Sequence, residues 1–522
     1  MNRVSLRTVS TAGILAAAVL GACMQVSASP WISAYYRADE YSTIAPASID
    51  YNSITELMWF SIAPNTSGAG TLVDGPNETG AISDTSAVVT AVHNAGKKVL
   101  ITIGGQGSET AFDTTFSDGH TSTLVSNIVS FVSTYGLDGV DLDDEPIQES
   151  DKTAFDSFVT SLRSSLPSGK LLTVAPPDYK PIDMFTAVAS DFDQINVQTY
   201  DISGPWETEE NDNPSGNGYY TWYNSPITSG GYVIPDFTPS TAMPSASSGV
   251  QLFITAGVSA SKLAMATTFY GYDWTGATGP DQGFTFTPNL INPTNFNSLS
   301  YAQIMSTKYS STYYHYDTSA HAAYLGITST GDFVSYDDPT AIFDKVDYVE
   351  ENGLGGLMCF SVGQQYISGA TPNQPLLAAI DYALTIPFAQ PITLLSWQTG
   401  YYASVTGSSD TLQANSASTV TSSDEFTVVN AGDGYVALLS SVTGKYVTVN
   451  TGSSDTLVAS TATTIAAAEK FTWELSTHTG VIGLKSSTTG DYVTVDFDVT
   501  GDPLRATATS LGVAQEFTVG IE

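Results

Sequence analysis

Eight short apolar runs alternate with amphipathic stretches between Trp31 and about Thr385, and this alternation constrains the fold more than any other feature. The runs are Trp31–Tyr36, Leu57–Ile62, Val99–Gly104, Gly139–Glu145, Leu171–Ala175, Phe192–Tyr200, Leu263–Phe269 and Gly356–Ser361. Between them, Ser86–Ala95, Thr121–Tyr135, Lys152–Leu166 and Ala341–Glu351 carry apolar residues at helical i, i+3, i+4 spacing. Eight strand–helix units in one continuous region predict a closed parallel (β/α)8, or TIM, barrel of the α/β class, because an open doubly wound sheet rarely reaches that count. Chemistry on such a barrel sits at the C-terminal ends of its strands.

The fourth run ends in Asp138-Gly139-Val140-Asp141-Leu142-Asp143-Asp144-Glu145. In a strand, the two-residue spacing of Asp141, Asp143 and Glu145 places all three carboxylates on one face, with Val140 and Leu142 on the other. Like charges so close cannot all ionise freely, so at least one proton is held among them, as a general acid requires. The structural alternative is an edge strand blunted by alternating acids. A closed barrel has no edges, which removes most of the case for it. Asp138 has the opposite parity and is expected to brace the strand. By the same strand-end argument, Tyr200 and Asp201 fall at the catalytic rim.

The octapeptide matches the D-x-x-D-x-D-x-E signature of glycoside hydrolase family 18, the retaining chitinases, at every defined position. Lys98-Val99-Leu100-Ile101-Thr102-Ile103-Gly104-Gly105 resembles the family's S-x-G-G strand with Thr102 for Ser, and Gln198-Thr199-Tyr200-Asp201 is similar to its sixth-strand motif. Gly204-Pro205-Trp206 looks like the loop carrying a stacking Trp, while Asn224-Ser225-Pro226, Phe269-Tyr270-Gly271 and Ser335-Tyr336-Asp337-Asp338-Pro339 extend the likeness. The resemblance implies a chitinase that cleaves β-1,4 bonds between N-acetylglucosamine units with retention and no second carboxylate nucleophile; the substrate's own acetamido oxygen attacks the anomeric carbon. It implies Glu145 as acid and base, Asp143 as the partner of the acetamide NH, Asp141 as holder of a second proton and Tyr200 as a hydrogen-bond donor to the acetamido oxygen. Gln198, Asp201, Trp206 and Phe360 are expected to contact substrate, with Gly104 and Gly105 as structural support. Phe360 departs from the Trp that commonly ends the family's eighth strand, and a phenyl offers less stacking area than an indole. Trp31, Trp59, Trp222 and Trp274 are read as core. No metal or cofactor is expected. The alternatives are an endo-β-N-acetylglucosaminidase acting on N-glycans and a non-catalytic chitin lectin; the intact acids argue against the lectin.

The stretch from about Asp273 to Asp337 is far longer than an ordinary loop. In the resembling chitinases, a small α+β insertion here walls one side of a cleft. After Pro387 the pattern changes to short Thr-, Ser- and Val-rich strands in three copies. The copies begin at Ile392-Thr393-Leu394-Leu395-Ser396, Val436-Ala437-Leu438-Leu439-Ser440 and Ile482-Gly483-Leu484-Lys485-Ser486, pass through Leu412, Leu457 or Leu504, and close with Phe426, Phe471 or Phe517. They resemble a β-trefoil of the fascin-like branch, in which carbohydrate contact is expected. The division read from the sequence is therefore a leader over 1–28, a barrel over 29–387 and a trefoil over 388–522.

The leader reading rests on Arg3 and Arg7, an apolar run from Ala12 to Ala22, and Val26-Ser27-Ala28 before Ser29. It implies a secreted protein. The alternative is lipid attachment at Cys23, within Leu20-Gly21-Ala22-Cys23. No run reaches transmembrane length. A balance of 16 Lys plus Arg against 52 Asp plus Glu, net −36, repels phosphate backbones and excludes nucleic acid as a partner. Neutral chitin or chitooligosaccharides fit that balance.

Overall fold

The computed structural model describes residues 29–178, 182–204, 219–234, 240–284, 296–388, 390–416, 420–432, 434–476 and 481–521. The leader and Cys23 lie outside them. Trp31–Arg37, Glu56–Pro64, Lys98–Gln106, Gly139–Glu145, Leu171–Val174, Gln194–Asn196, Leu263–Thr268 and Gly356–Phe360 form eight parallel strands. Each pairs with the next in sequence, and the eighth returns to the first through Trp31↔Gly356 to Tyr35↔Phe360. All nine residues of the second strand are buried, as expected where helices cover the outside and side chains fill the inside.

The helices follow the same logic. Thr121–Tyr135 buries Leu124, Val125, Ile128 and Val132 as one stripe and stops at Gly136, whose φ of 72° is the left-handed conformation favoured after a helix end. Pro339–Glu351 begins with proline in its first turn and is capped by Asp338, whose side chain accepts from the Ala341 amide at 2.8 Å.

The sixth strand is shorter than the sequence predicts. It ends at Asn196 rather than Tyr200, because Gln198 N–H turns to Pro176 O (2.9 Å) and the Thr199 hydroxyl takes up the Ala266 amide (2.8 Å). Tyr200 and Asp201 therefore stand on the segment that follows the strand.

After the seventh strand, Tyr270–Thr275 opens a five-stranded antiparallel sheet with Phe296–Ser300, Tyr314–Asp317, Ala322–Ile327 and Asp332–Tyr336, accompanied by the helix Tyr301–Thr307. This is the expected α+β insertion. Its return to the barrel is fixed by Lys345, fully buried, whose Nζ donates to Asp337 Oδ2 (2.5 Å), Ser225 Oγ (2.6 Å) and Ala266 O (3.0 Å). Removing one member of a buried pair leaves the other charge uncompensated. Lys345→Met is expected to lower unfolding free energy by about 3–5 kcal/mol, read from denaturant melts; a loss near zero would show that the buried pair does not hold the insertion to the barrel.

The C-terminal region is all-β. Pro391–Ser396, Glu425–Asn430, Val436–Ser440, Phe471–Leu475, Val481–Ser486 and Phe517–Ile521 close into a six-stranded ring. Three hairpins, beginning at Tyr402, Thr448 and Tyr492, pair with one another across one end. This is the three-fold β-trefoil arrangement. The repeated Leu412, Leu457 and Leu504, with Phe426, Phe471 and Phe517, are its buried centre. The trefoil packs on the barrel: Phe388 meets Phe343 edge-on at 5.0 Å, and Asn430 Nδ2 donates to Asp344 Oδ1 at 2.9 Å.

Candidate active site

The ladder to the third strand sets Thr102 opposite Asp141, Gly104 opposite Asp143 and Gln106 opposite Glu145. Alternation turns the three acids into the barrel mouth while Val140 and Leu142 enter the outer core. Asp141 is deepest. Its Oδ2 accepts from the Tyr35 hydroxyl (2.8 Å) and the Thr102 hydroxyl (3.1 Å), and Oδ1 from the Thr173 hydroxyl (2.6 Å). Burial nevertheless raises its pKa to about 6, against the pull of those three hydroxyls.

Asp143 is held well above the ordinary carboxylate range by burial and then by the neighbouring Glu145 charge. Burial also raises Glu145, opposed by its hydrogen bonds from Gln198 and Asp143. Gln198 Nε2 faces both, donating to Asp143 Oδ1 (3.1 Å) and to Glu145 Oε1, and also lies 2.8 Å from Ala175 O. The three acids form a buried chain that retains protons where an isolated carboxylate would lose them.

A folded-state pKa above the unfolded value stabilises the fold only while the group is protonated, so Asp141 contributes a loss of stability as pH rises from about 4 through about 6. Asp141→Asn should flatten that part of the melting-temperature profile. An unchanged slope would show that Asp141 does not titrate there.

The other predicted residues are placed as follows. Asp201, at φ 55°, accepts at one oxygen, Oδ1, from the Tyr270 hydroxyl (2.5 Å) and the Tyr272 hydroxyl (2.6 Å), while Asn224 Oδ1 takes its amide at 2.9 Å. Both tyrosines come from the first strand of the insertion, so that sheet reaches the rim directly. Phe360 lies among Tyr35, Phe60, Tyr200 and Tyr270, with ring centroids 5.6–6.5 Å away. Gly104 and Gly105 have φ of 127° and 105°; a Cβ on Gly104 would sit 1.9 Å from Asp143 O, and one on Gly105 2.8 Å from the Phe60 ring. Side chains there would displace the acid-bearing strand. Asp138 lies on the outer side, where its Oδ2 accepts from the Val99 amide (3.0 Å) and meets His93 Nε2 at 2.9 Å. Trp59, Trp222 and Trp274 are fully buried. Trp206 lies outside the described residues.

Asp143, Glu145, Gln198, Tyr200, Asp201 and Phe360 line one cleft with Arg37, Phe60, Glu78, Gln106 and Tyr270. Sequence reasoning missed Tyr35, Thr173 and Tyr272 as polar partners of the acids. Their signal was present: each sits on or just after a barrel strand, where an inward polar residue needs a partner.

Among the described residues no helix is long and apolar enough to cross a membrane. The model of the glycosyl hydrolases family 18 matches residues 32–365, more than half of the chain. A chitinase A1 of Niallia circulans is 28% identical over 386 residues, covering 68% of this chain and 52% of that protein. A class V chitinase of Arabidopsis thaliana is 28% identical over 300 residues, covering 53% and 72%. The chain thus spans about half the length of the bacterial relative. Among solved structures, the Ostrinia furnacalis group IV chitinase in complex with allosamidin superposes with a TM-score of 0.56 at 19% identity, over 68% of this chain and 98% of that one. A Cycas revoluta class V chitinase mutant in complex with (GlcNAc)3 superposes at 0.53 and 21%, over 68% and 99%. These two likenesses are likenesses of fold.

Proposed function

Because the chain belongs to the glycosyl hydrolases of family 18, we propose that it is a chitinase that hydrolyses β-1,4 bonds between N-acetylglucosamine units with retention, using Glu145 as acid and base. The observation that carries this reading is the buried, proton-retaining row Asp141–Asp143–Glu145, bridged by Gln198 and open to one cleft. Glu145, its pKa raised by burial, keeps a proton to give to the glycosidic oxygen as the bond breaks. The acetamido oxygen of the bound sugar closes on its own anomeric carbon, so no second carboxylate has to attack. Asp143 turns from Glu145 to the acetamide NH and offsets the positive charge that develops there. Asp141, anchored by three hydroxyls, takes up the shared proton as Asp143 turns. Glu145, now ionised, removes a proton from the water that opens the cyclic intermediate and restores retained stereochemistry. Tyr200 orients the acetamido oxygen, and the rings around Phe360 floor the sugar face.

The deciding experiment sets chitin oligomers beside a high-mannose glycoprotein. Release of sugar from the oligomers alone supports the chitinase, whereas cleavage of the glycoprotein alone would overturn it. A thiazoline analogue of the cyclic intermediate should inhibit; no inhibition would exclude attack by the substrate's own acetamide.

Export through cleavage before Ser29, with attachment at Cys23 as the alternative, is part of the same proposal; N-terminal sequencing of the exported protein separates the two. Carbohydrate contact by the trefoil is also proposed, since tethering raises the local concentration of enzyme on a solid. Truncation after Pro387 removes Phe388 from the Phe343 ring and the Trp473 carbonyl from the Tyr382 hydroxyl, so the truncated chain should melt lower. At a temperature where both forms are folded, it should lose more activity on insoluble chitin than on soluble oligomers. Equal losses would contradict the tethering role.

A further inference from the structure

The outer side of the fourth strand carries a second group of acids that the chemistry above does not use. The family signature leaves position 144 open, and here it is Asp144, one residue before Glu145 and facing the other way. The residue is 9% exposed, and its Oδ1 is buried with no hydrogen-bond partner. The charges bearing on it most strongly are those of Asp113, Asp151 and Glu109, in that order.

Those three residues form a group of their own. Glu109 and Asp113 lie one turn apart on the helix Glu109–Ser117, a spacing that puts them on one helix face. Asp151 ends the short 3-10 turn Glu149–Asp151 that leads into the helix Lys152–Ser165. Its carboxylate is held by the Gln148 amide (2.9 Å, to Oδ2) and the Ser150 hydroxyl (3.1 Å, to Oδ1). One oxygen from each of the three lies within 4.8 Å of the others. Among the described residues, no Lys, Arg or His forms an ion pair with any of these four acids; the nearest basic neighbour in sequence, Lys152, pairs with Asp156. Three converging carboxylates, with the buried Asp144 and its empty acceptor close enough to feel the charge of all three, need neutralising by protons or by a cation.

We propose that Glu109, Asp113, Asp144 and Asp151 hold a Ca2+ ion that ties the end of the fourth strand to the two helices outside it. The oxygen-only, anionic donor set selects a hard cation. The oxygens of Glu109, Asp113 and Asp151, within 4.8 Å of one another, fit around an ion whose ligands lie at about 2.3–2.6 Å, and Asp144 supplies the fourth carboxylate by turning its free oxygen toward them. Mg2+ needs ligands at about 2.0–2.1 Å in near-ideal octahedral geometry and retains several waters, which four protein carboxylates from three separate segments serve poorly. The ion would lie behind the wall that carries Glu145, outside the cleft. It is a structural ion and supplies no step of the hydrolysis, so it adds a metal site where the sequence led us to expect none.

The test uses the full chain, stripped with EDTA and titrated with CaCl2 by calorimetry, with thermal melts in parallel. One Ca2+ should bind per chain, and Ca2+ a hundredfold above its Kd should raise the melting temperature by roughly 2–3 °C. The double variant Asp113→Asn, Asp151→Asn should keep the wild-type circular dichroism, since carboxamides relieve repulsion, yet lose both the heat of binding and the shift. Glu109→Gln, a change on the outer helix alone, should weaken binding at least tenfold. Absence of binding to the wild type at millimolar Ca2+ overturns the proposal. So does an unchanged melting shift in the folded double variant, or Mg2+ binding as tightly as Ca2+.

Discussion

Glu145→Gln should lower turnover on chitin oligomers by about 10²- to 10⁴-fold, the range that a positioned general acid contributes. The amide keeps the shape of the side chain and its contact with Gln198, but it has no proton to give to a leaving oxygen and cannot accept one from water. Oligomer binding should persist, because the aromatic floor around Phe360 and the rim at Asp201 are untouched. Kinetics on a soluble oligomer, with calorimetry of the same oligomer on the variant, separate the two effects. More than about a tenth of wild-type turnover would place the acid elsewhere, given that range.

Asp143→Asn should cost about 10²- to 10³-fold in kcat, the scale of losing one preorganised group aimed at developing charge, with a smaller change in KM. Asparagine still fills the space beneath Gln198, but it can neither hold negative charge beside the acetamide nor pass a proton to Asp141. Stability should move the other way. Burial and the Glu145 charge hold Asp143 well above its ordinary pKa, so its ionisation opposes folding above the unfolded pKa, and a neutral amide removes that opposition. At pH 8 the variant should melt at or above the wild type. Loss of both turnover and melting temperature would instead make Asp143 a structural residue.

Much of this was legible in the chain. The eight barrel strands could be read because a parallel strand buried on both faces is a near-continuous apolar run, and that run survives in any local context. The Asp141, Asp143 and Glu145 face could be read because strand alternation is a local rule. The trefoil appeared as a repeat for the same reason: each copy must bury its own Leu and Phe. The end of the sixth strand was misjudged, since nothing local to Val197–Tyr200 shows that the Ala266 amide will be taken by a Thr199 side chain.

The sequence by itself determined which residues face inward, which acids stand side by side on one strand and that short repeated strands follow the barrel, because those follow from period and composition over a few residues. Only the tertiary structure decided the partners. Tyr35 and Asp141 are 106 residues apart, Tyr272 and Asp201 71 apart, and Lys345 and Ser225 120 apart. The outward Asp144 gained its meaning only when a helix and a 3-10 turn brought Glu109, Asp113 and Asp151 together, near enough for their charges to act on it. Burial and charge proximity, which raise Asp141, Asp143 and Glu145 above the ordinary carboxylate range, are properties of packed distances. No spacing along the chain encodes them.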